Sequence, residues 1–543
     1  MRSFISFFCI LILFGLASCS RFFHLQADPP AGEISDSGAF LTDEGIYSQN
    51  AIQWSRTGKW HLDEELNPGA VMPVFMVYQF GLMQIFGVHL WSVRVGGILC
   101  GLLNLLFIFV FLRKEDPTLA KIVLILGAVN FPLIIYNRLA FAENLLLCLL
   151  IGMVICLKNM TQAKQPVLWT IVFWFLSGVA FLTKPLHLFM IIPFLIELFL
   201  VNPIQKRKII FASVAAFSLV CVGIFIFTYP YVEAWHYFYQ LNLVTHFSSG
   251  FRIYIWKVVV SLFENPLFRM MPILFVIAIW KSFHYFSNFI RKKEIGLIER
   301  IFSIYYLSGF LFLVVIPYAP VRYWLVLIPP ILILNGLFFR EAIQHSSITF
   351  FRNKRIMVLI VLFILAQICT SFYHWISADT KSIVSFYGLL SIIPLVYLSQ
   401  KRLKSRSVVI TLIGIIFALH LFQITRYHTA PHYSMKRMIE TVNQVLERDS
   451  RRNSKSLAGD MVSVMAFNTD VSVIDVMYKK DQLLERMLKR KPGYLLLEDV
   501  HLFKSVKSLI ADHVLHFELI REFQLMRNYH QGYPALLFKI HWK

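Results

Sequence analysis

Leu41-Thr42-Asp43-Glu44-Gly45-Ile46-Tyr47 is an acidic stretch just beyond the first long apolar segment, residues 3–20. It lies in a polar, aromatic-dotted region, 21–90, and most of the remaining chain is hydrocarbon-rich. Two adjacent carboxylates outside a membrane span are the strongest chemical lead in the sequence, and what flanks them decides the fold.

The 543 residues are 57% hydrophobic and 15% charged, with mean hydropathy +0.64. A soluble domain averages about 25% charged residues. The departure is toward a polytopic membrane protein. The net charge of +21 comes from Lys and Arg in short loops between apolar runs. That is the positive-inside pattern, so the expected neighbours are anionic membrane lipids and not nucleic acid. Most cysteines lie inside apolar runs, and no C-x-x-C spacing occurs, which argues against zinc ribbons and thiol redox centres. Leu16-Ala17-Ser18-Cys19 has the form of a lipoprotein cleavage box, but a chain with many later spans needs no lipid anchor, and an uncleaved first span is the simpler reading.

Runs of about 17–25 apolar residues are long enough to span a bilayer. They recur from residue 3 to residue 425, giving about thirteen expected transmembrane helices. With the N-terminus cytoplasmic, the basic loops at 113–121, 158–164, 205–208, 291–300, 340–355 and 401–406 all fall inside. The long loops 21–90 and 229–256 and the tail then fall outside. The expected fold is an all-α polytopic membrane domain, 1–425, followed by a small extracytoplasmic α/β domain, 426–543. In the tail, helices are expected at 434–448, 480–490 and 503–511. Short strands are expected at Met461–Phe467, Tyr494–Leu497 and Ala535–Ile540, and Lys491-Pro492-Gly493 is a helix-to-strand turn.

Asp43-Glu44 reads as the head of a helix with Thr42 as N-cap, since Tyr47, Ala51 and Trp54 follow at helical spacing. A capped surface helix is the plain alternative to a catalytic pair. Glu143, at the outer end of a span, is a second acidic candidate, or a salt-bridge partner of Arg138. Lys184, between two apolar runs, and Arg322, at a membrane edge, suit a phosphate group, with Arg94 and Arg252 as further cations. Asp63-Glu64-Glu65 reads as a solvated loop.

Asp43-Glu44-Gly45-Ile46-Tyr47, Gly58-Lys59-Trp60, Asn67-Pro68, Phe86-Gly87 and Ser92-Val93-Arg94-Val95-Gly96, in that order, resemble the opening of the GT-C glycosyltransferases. The branch they most resemble holds the protein O-mannosyltransferases and lipid A aminoarabinose transferases. Asn137-Arg138 with Glu143, Thr183-Lys184, Trp235-His236-Tyr237-Phe238 and Arg322-Tyr323 fall where members of that family have polar landmarks. The resemblance covers roughly residues 1–340.

It implies a polyprenyl-phosphate-linked sugar as donor and an acceptor glycan, lipid or protein outside the cytoplasm, at the plasma (bacterial inner) membrane. It also implies a single inverting displacement. A phosphate monoester leaves without strong acid help, so the acceptor hydroxyl needs a base. Asp43 takes that role, with Glu44 and Glu143 as further catalytic candidates. Lys184, Arg322, Tyr323, Arg138, Arg94 and Tyr47 are the expected substrate-binding residues. Leu66-Asn67-Pro68 and Asn242-Leu243 depart from acidic motifs of some aminoarabinose transferases. No metal ligand is assigned. A divalent metal ion stays an open cofactor, with His236 and His246 as the available histidines. A polytopic transporter or lipid flippase is the alternative class; it predicts ionisable groups deep in several spans and internal repeats.

Overall fold

The structure, a computed structural model, describes residues 2–30, 39–62, 65, 67–162, 165–200, 203–239, 266–290, 295–316, 319–344, 405–449, 456–460, 462–467, 471–476, 482–497, 500–528 and 531–543. Arg252, His246, Asp63, Glu64, the expected spans 356–373 and 383–399, and most of the loop 229–256 lie outside the described residues.

Two compact units are formed. One holds Met1–Arg21, Ile98–Asn137 and Ala142–Arg426; the other holds Phe22–Gly97, Arg138–Phe141 and Tyr427–Lys543. Among the described residues, seven helices are long and apolar enough to cross a membrane, from Leu90–Glu115 to Ile410–Asp449. An eighth crossing results if Pro117–Val129 and Phe131–Asn137, bent by 63°, form one span. The chain is a multi-pass membrane protein. The expected spans 3–20 and 186–201 appear as shorter apolar helices, Phe8–Phe22 and Pro185–Leu200.

The 63° bend has a local cause. Pro132, the second residue of helix Phe131–Asn137, has no N–H to bond back into Pro117–Val129, which suits the start of a new helix and not the continuation of the old one. Asn130 is extended, and its side chain accepts a hydrogen bond from the Leu133 N–H at 3.0 Å, which caps the second segment. Elsewhere in this unit three basic side chains meet carboxylates. Arg300 forks onto Glu197 at 2.7 and 2.8 Å, Arg340 meets Asp116 at 3.1 Å, and Lys281 bonds Glu341 at 2.8 Å.

The second unit is α/β. Its sheet has the order β2-β1-β3-β5-β4, with β1 Ser456–Gly459, β2 Ser472–Asp475, β3 Tyr494–Leu497, β4 Val514–Asn528 and β5 Gln531–Trp542. β1 pairs in parallel with β2 and β3, while β5 runs antiparallel to β3 and β4. The expected tail helices appear as Ser434–Asp449, Leu483–Arg490 and Val500–Ile510. Met461–Phe467 differs: Val462–Met465 is a single helical turn. A short apolar run carries no period that separates a buried strand from a buried turn of helix.

The first loop and the tail share one hydrophobic core. Ala51, Ile52, Met76 and Val93 pack in the same cluster as Met438, Val442, Val464, Leu496 and Leu537. Helix Ala39–Thr57 lies in this core, and Gly45 sits against the Val462–Met465 turn. A β-carbon at Gly45 would fall 2.4 Å from the Val464 nitrogen, so only glycine permits the approach.

Candidate active site

The expected residues gather in two clusters, one in each unit. In the second unit, helix Ala39–Thr57 begins three residues before Thr42, so Thr42 is inside its first turn and not an N-cap. Asp43 and Glu44 follow in the next turn, both buried, at 7% and 2% exposure. Neighbouring helical residues point about 100° apart. The two acids therefore face different surroundings.

Glu44 is clamped. Arg94 Nε donates to both of its carboxylate oxygens at 3.0 and 3.2 Å, and Arg94 Nη2 donates to Oε2 at 2.6 Å. The Ala140 N–H donates to Glu44 Oε1 at 2.9 Å. Arg94 Nη1 bonds the carbonyls of Leu25 at 2.9 Å and Ala27 at 3.1 Å. One buried guanidinium thus joins the helix bearing Asp43 to the segment after the first apolar helix. Arg94 directs all three nitrogens to the protein itself.

Arg138 does similar work. Its Nη1 and Nη2 donate to the carbonyls of Phe23 and His24, and its guanidinium lies 5.0 Å from the Tyr427 ring centroid. Tyr47, one turn beyond Asp43, is buried with its ring edge-on to Phe141 at 6.3 Å.

Two carboxylates that the sequence reading did not use as anchors belong to the same unit. Asp28 is buried and holds the N-terminus of helix Ser434–Asp449. It accepts from the Ser434 N–H and Oγ, each at 2.6 Å, and from the Met435 N–H at 3.2 Å. Burial raises its pKa against the pull of those bonds. Glu65, expected in a solvated loop, is buried at 4% exposure. It accepts from Arg486 Nη2 at 2.5 Å, Arg490 Nη1 at 3.0 Å and the Asp475 N–H at 3.2 Å. Burial pushes its pKa up to about 7, and the two arginines only partly offset this. An acid beside other acids in sequence carries no sign of partners more than 400 residues away.

The membrane unit holds the second cluster. Glu143 lies in the first turn of helix Ala142–Gln162 and is fully buried. It pairs with Lys184, Nζ to Oε1 at 2.7 Å. Arg322 Nε lies 3.7 Å from the same oxygen. Lys184 Nζ and Arg322 Cζ stand 4.5 and 5.6 Å from the Tyr323 ring centroid. The local sequence explains Lys184. Pro185 keeps the preceding residue extended, and Lys184 has φ −171° and ψ 130° where helix Pro166–Thr183 ends. A side chain released at a helix break can turn inward between spans.

This cluster has two cations, Lys184 and Arg322, and one carboxylate, Glu143. All are at most 8% exposed. Lysine and arginine are the side chains that hold phosphate oxygens, the arginine in a fork and the lysine as a point charge. Asn137 and Asn144 form a neighbouring polar chain: Asn137 Nδ2 donates to Asn144 Oδ1 at 2.8 Å, and Arg21 Nε donates to Asn137 Oδ1 at 3.1 Å. Arg21 reads in sequence only as the charge that ends an apolar run.

Among the described residues no group of three or more His, Cys, Asp or Glu side chains is gathered to hold a metal ion. His236 is exposed, and the Glu44 oxygens are directed to Arg94 and Ala140.

Residues 70–232 match the family model described as dolichyl-phosphate-mannose-protein mannosyltransferase. That segment includes Arg94, Arg138, Glu143 and Lys184. No curated protein sequence matches the chain. Among solved structures, ArnT from Cupriavidus metallidurans in the apo state is similar at 12% identity and TM-score 0.55, covering 99% of this chain and 97% of that one. The same protein bound to undecaprenyl phosphate is similar at 12% identity and TM-score 0.54, with the same coverage. The Archaeoglobus fulgidus oligosaccharyltransferase is similar at 9% identity and TM-score 0.50, covering 90% of this chain and 69% of that one. The resemblance read from the first loop is met by these matches, and the chain has the fold of the GT-C glycosyltransferases.

Proposed function

We propose that the protein transfers a sugar from a polyprenyl-phosphate-linked donor to an acceptor at the outer face of the plasma (bacterial inner) membrane. The observation that carries this reading is the buried grouping of Lys184 and Arg322 about Glu143 in a multi-pass bundle. The match to a mannosyltransferase family model and the fold shared with an undecaprenyl-phosphate-bound protein support it. The basic loops, all assigned to one face by sequence, support the orientation.

In the reaction the acceptor oxygen attacks C1 of the donor sugar from the side opposite the phosphate. The C1–O bond breaks, its electron pair leaves with the lipid phosphate, and configuration at C1 inverts. Asp43 accepts the hydroxyl proton. Glu44 and Arg94 position the helix that carries Asp43, Arg138 holds the Phe23–His24 backbone, and Tyr47 walls the helix beside Asp43. Lys184 and Arg322 take the phosphate charge, with Glu143 orienting Lys184 and the Tyr323 ring supporting both cations.

Transfer of labelled sugar from polyprenyl-phosphate donors, measured with purified protein, tests this. Asp43→Asn is expected to lower turnover by about 10²–10⁴-fold, the usual contribution of a general base. Undiminished turnover in the variant would overturn the base assignment. Donor uptake into vesicles without any transfer would favour a transporter.

A further inference from the structure

Ser177 and His187 lie in the membrane unit and take no part in the chemistry assigned above. Both are buried, at 8% and 2% exposure. Ser177 is in helix Pro166–Thr183, and His187 is in the short 3₁₀ helix Pro185–Met190 that follows. Ser177 Oγ and His187 Nε2 share a hydrogen bond of 3.0 Å. That bond spans ten residues of chain, and Lys184 is inside the span.

Lys184 is the residue at which the two helices part. Its N–H still donates to the Ala180 carbonyl at 2.7 Å, as in a continuing helix, but its ψ of 130° turns the chain away. Pro185 favours that extended conformation and has no N–H to tie the next segment back. The direction of the segment after such a break is set by later contacts. At its far end the contact is packing: Phe189 is buried, with its ring centroid 5.3 Å from that of Tyr305 and 6.0 Å from that of Phe312. At its near end the contact is His187, whose imidazole reaches back to Ser177 and also lies beside the Lys184 backbone. A buried polar pair inside a membrane bundle is costly to separate, because no water replaces the lost partner. The break is therefore held on both sides, and it leaves Lys184 Nζ at 2.7 Å from Glu143 Oε1.

We propose that Ser177 and His187 are positioning residues, whose bond holds Lys184 where it meets the phosphate of the lipid donor. The inference rests on the sugar-transfer reading above and adds to it two residues that act through Lys184.

Equilibrium binding of undecaprenyl phosphate to the full chain in detergent tests it. Ser177→Ala and His187→Leu are each expected to weaken binding about three- to tenfold, the range for loss of one neutral hydrogen bond. His187→Gln, whose amide keeps a group able to bond Ser177, is expected to recover most of that loss. In the Lys184→Gln background the same two changes are expected to alter binding by less than about twofold, because the group they position is gone. Ser177→Ala removes a single hydroxyl from a helix and carries the test if His187→Leu does not fold. Losses that stay additive in the Lys184→Gln background would overturn the proposal, since the pair would then act on binding by another route. Parent-like binding in Ser177→Ala would overturn it too, as would a His187→Gln variant as weak as His187→Leu. A parent chain that binds no undecaprenyl phosphate would instead remove the sugar-transfer reading, and this inference with it.

Discussion

Glu44 and Asp43 are consecutive, yet their roles divide. Glu44 receives three donor contacts from Arg94 and one from a backbone N–H, which makes it an anchor. A lysine at 94 keeps the charge but cannot fork across both oxygens. Arg94→Lys is expected to cost about 2 kcal/mol of stability, because a buried pair is left poorly satisfied. Thermal unfolding reads this directly, and an unshifted midpoint would show that the clamp is dispensable. Lys184 makes a contrasting case. Lys184→Gln is expected to raise KM for the lipid donor about tenfold or more while changing kcat by less, as for loss of one charged hydrogen bond to a ligand. A fall confined to kcat would place Lys184 in the chemical step instead of in donor binding.

At the scale of elements, helix Ala39–Thr57 and the Val462–Met465 turn meet at Gly45. Gly45→Ala puts a methyl group onto the Val464 backbone, 2.4 Å from its nitrogen. Backbone yields less than a side-chain tip, so a loss of about 2 kcal/mol is expected in unfolding measurements. Wild-type stability in this variant would mean the turn shifts freely. Much of this layer was legible beforehand. Long apolar runs announce spans because the bilayer sets one length for all of them. Lys491-Pro492-Gly493 announces a helix end because its residues restrict φ, and helix Leu483–Arg490 does stop there before β3. Asp43 stands out in the sequence by its setting beside a span, and its role as base is the proposal made above. The start of its helix was misplaced because Thr42 is a good cap type that does not serve as one. Glu65, Asp28 and the Glu143–Lys184 pair were hidden for one reason: each meaning depends on a partner set by tertiary packing, 421 residues away between Glu65 and Arg486.

For the whole molecule, Glu65 sets an expectation for pH. Burial raises its pKa from the ordinary 4.5 to about 7, so the folded state binds its proton more tightly than the unfolded chain does. Its contribution to stability is full below pH 4.5, declines as pH rises, and is gone above about 7. The slope within that window is at most about 1.4 kcal/mol per pH unit. Unfolding midpoints between pH 5 and 8 should therefore differ in slope between the parent and Glu65→Gln, with the variant flatter. Parallel profiles would assign the pH response to other groups.

The same contact has a consequence for how the protein is made. Glu65 leaves the ribosome early, and Arg486 is synthesised 421 residues later. At about 5–20 residues per second, the first loop waits roughly 20–80 s for its counterpart. During that interval the helix carrying Asp43 lacks the later strands and helices that complete its core. Loss of the last sixty residues removes Tyr494, Leu496, Leu525, Ala535 and Leu537 from that core. The core around the carboxylate helix is therefore complete only when strand β5, the last of the chain, is in place.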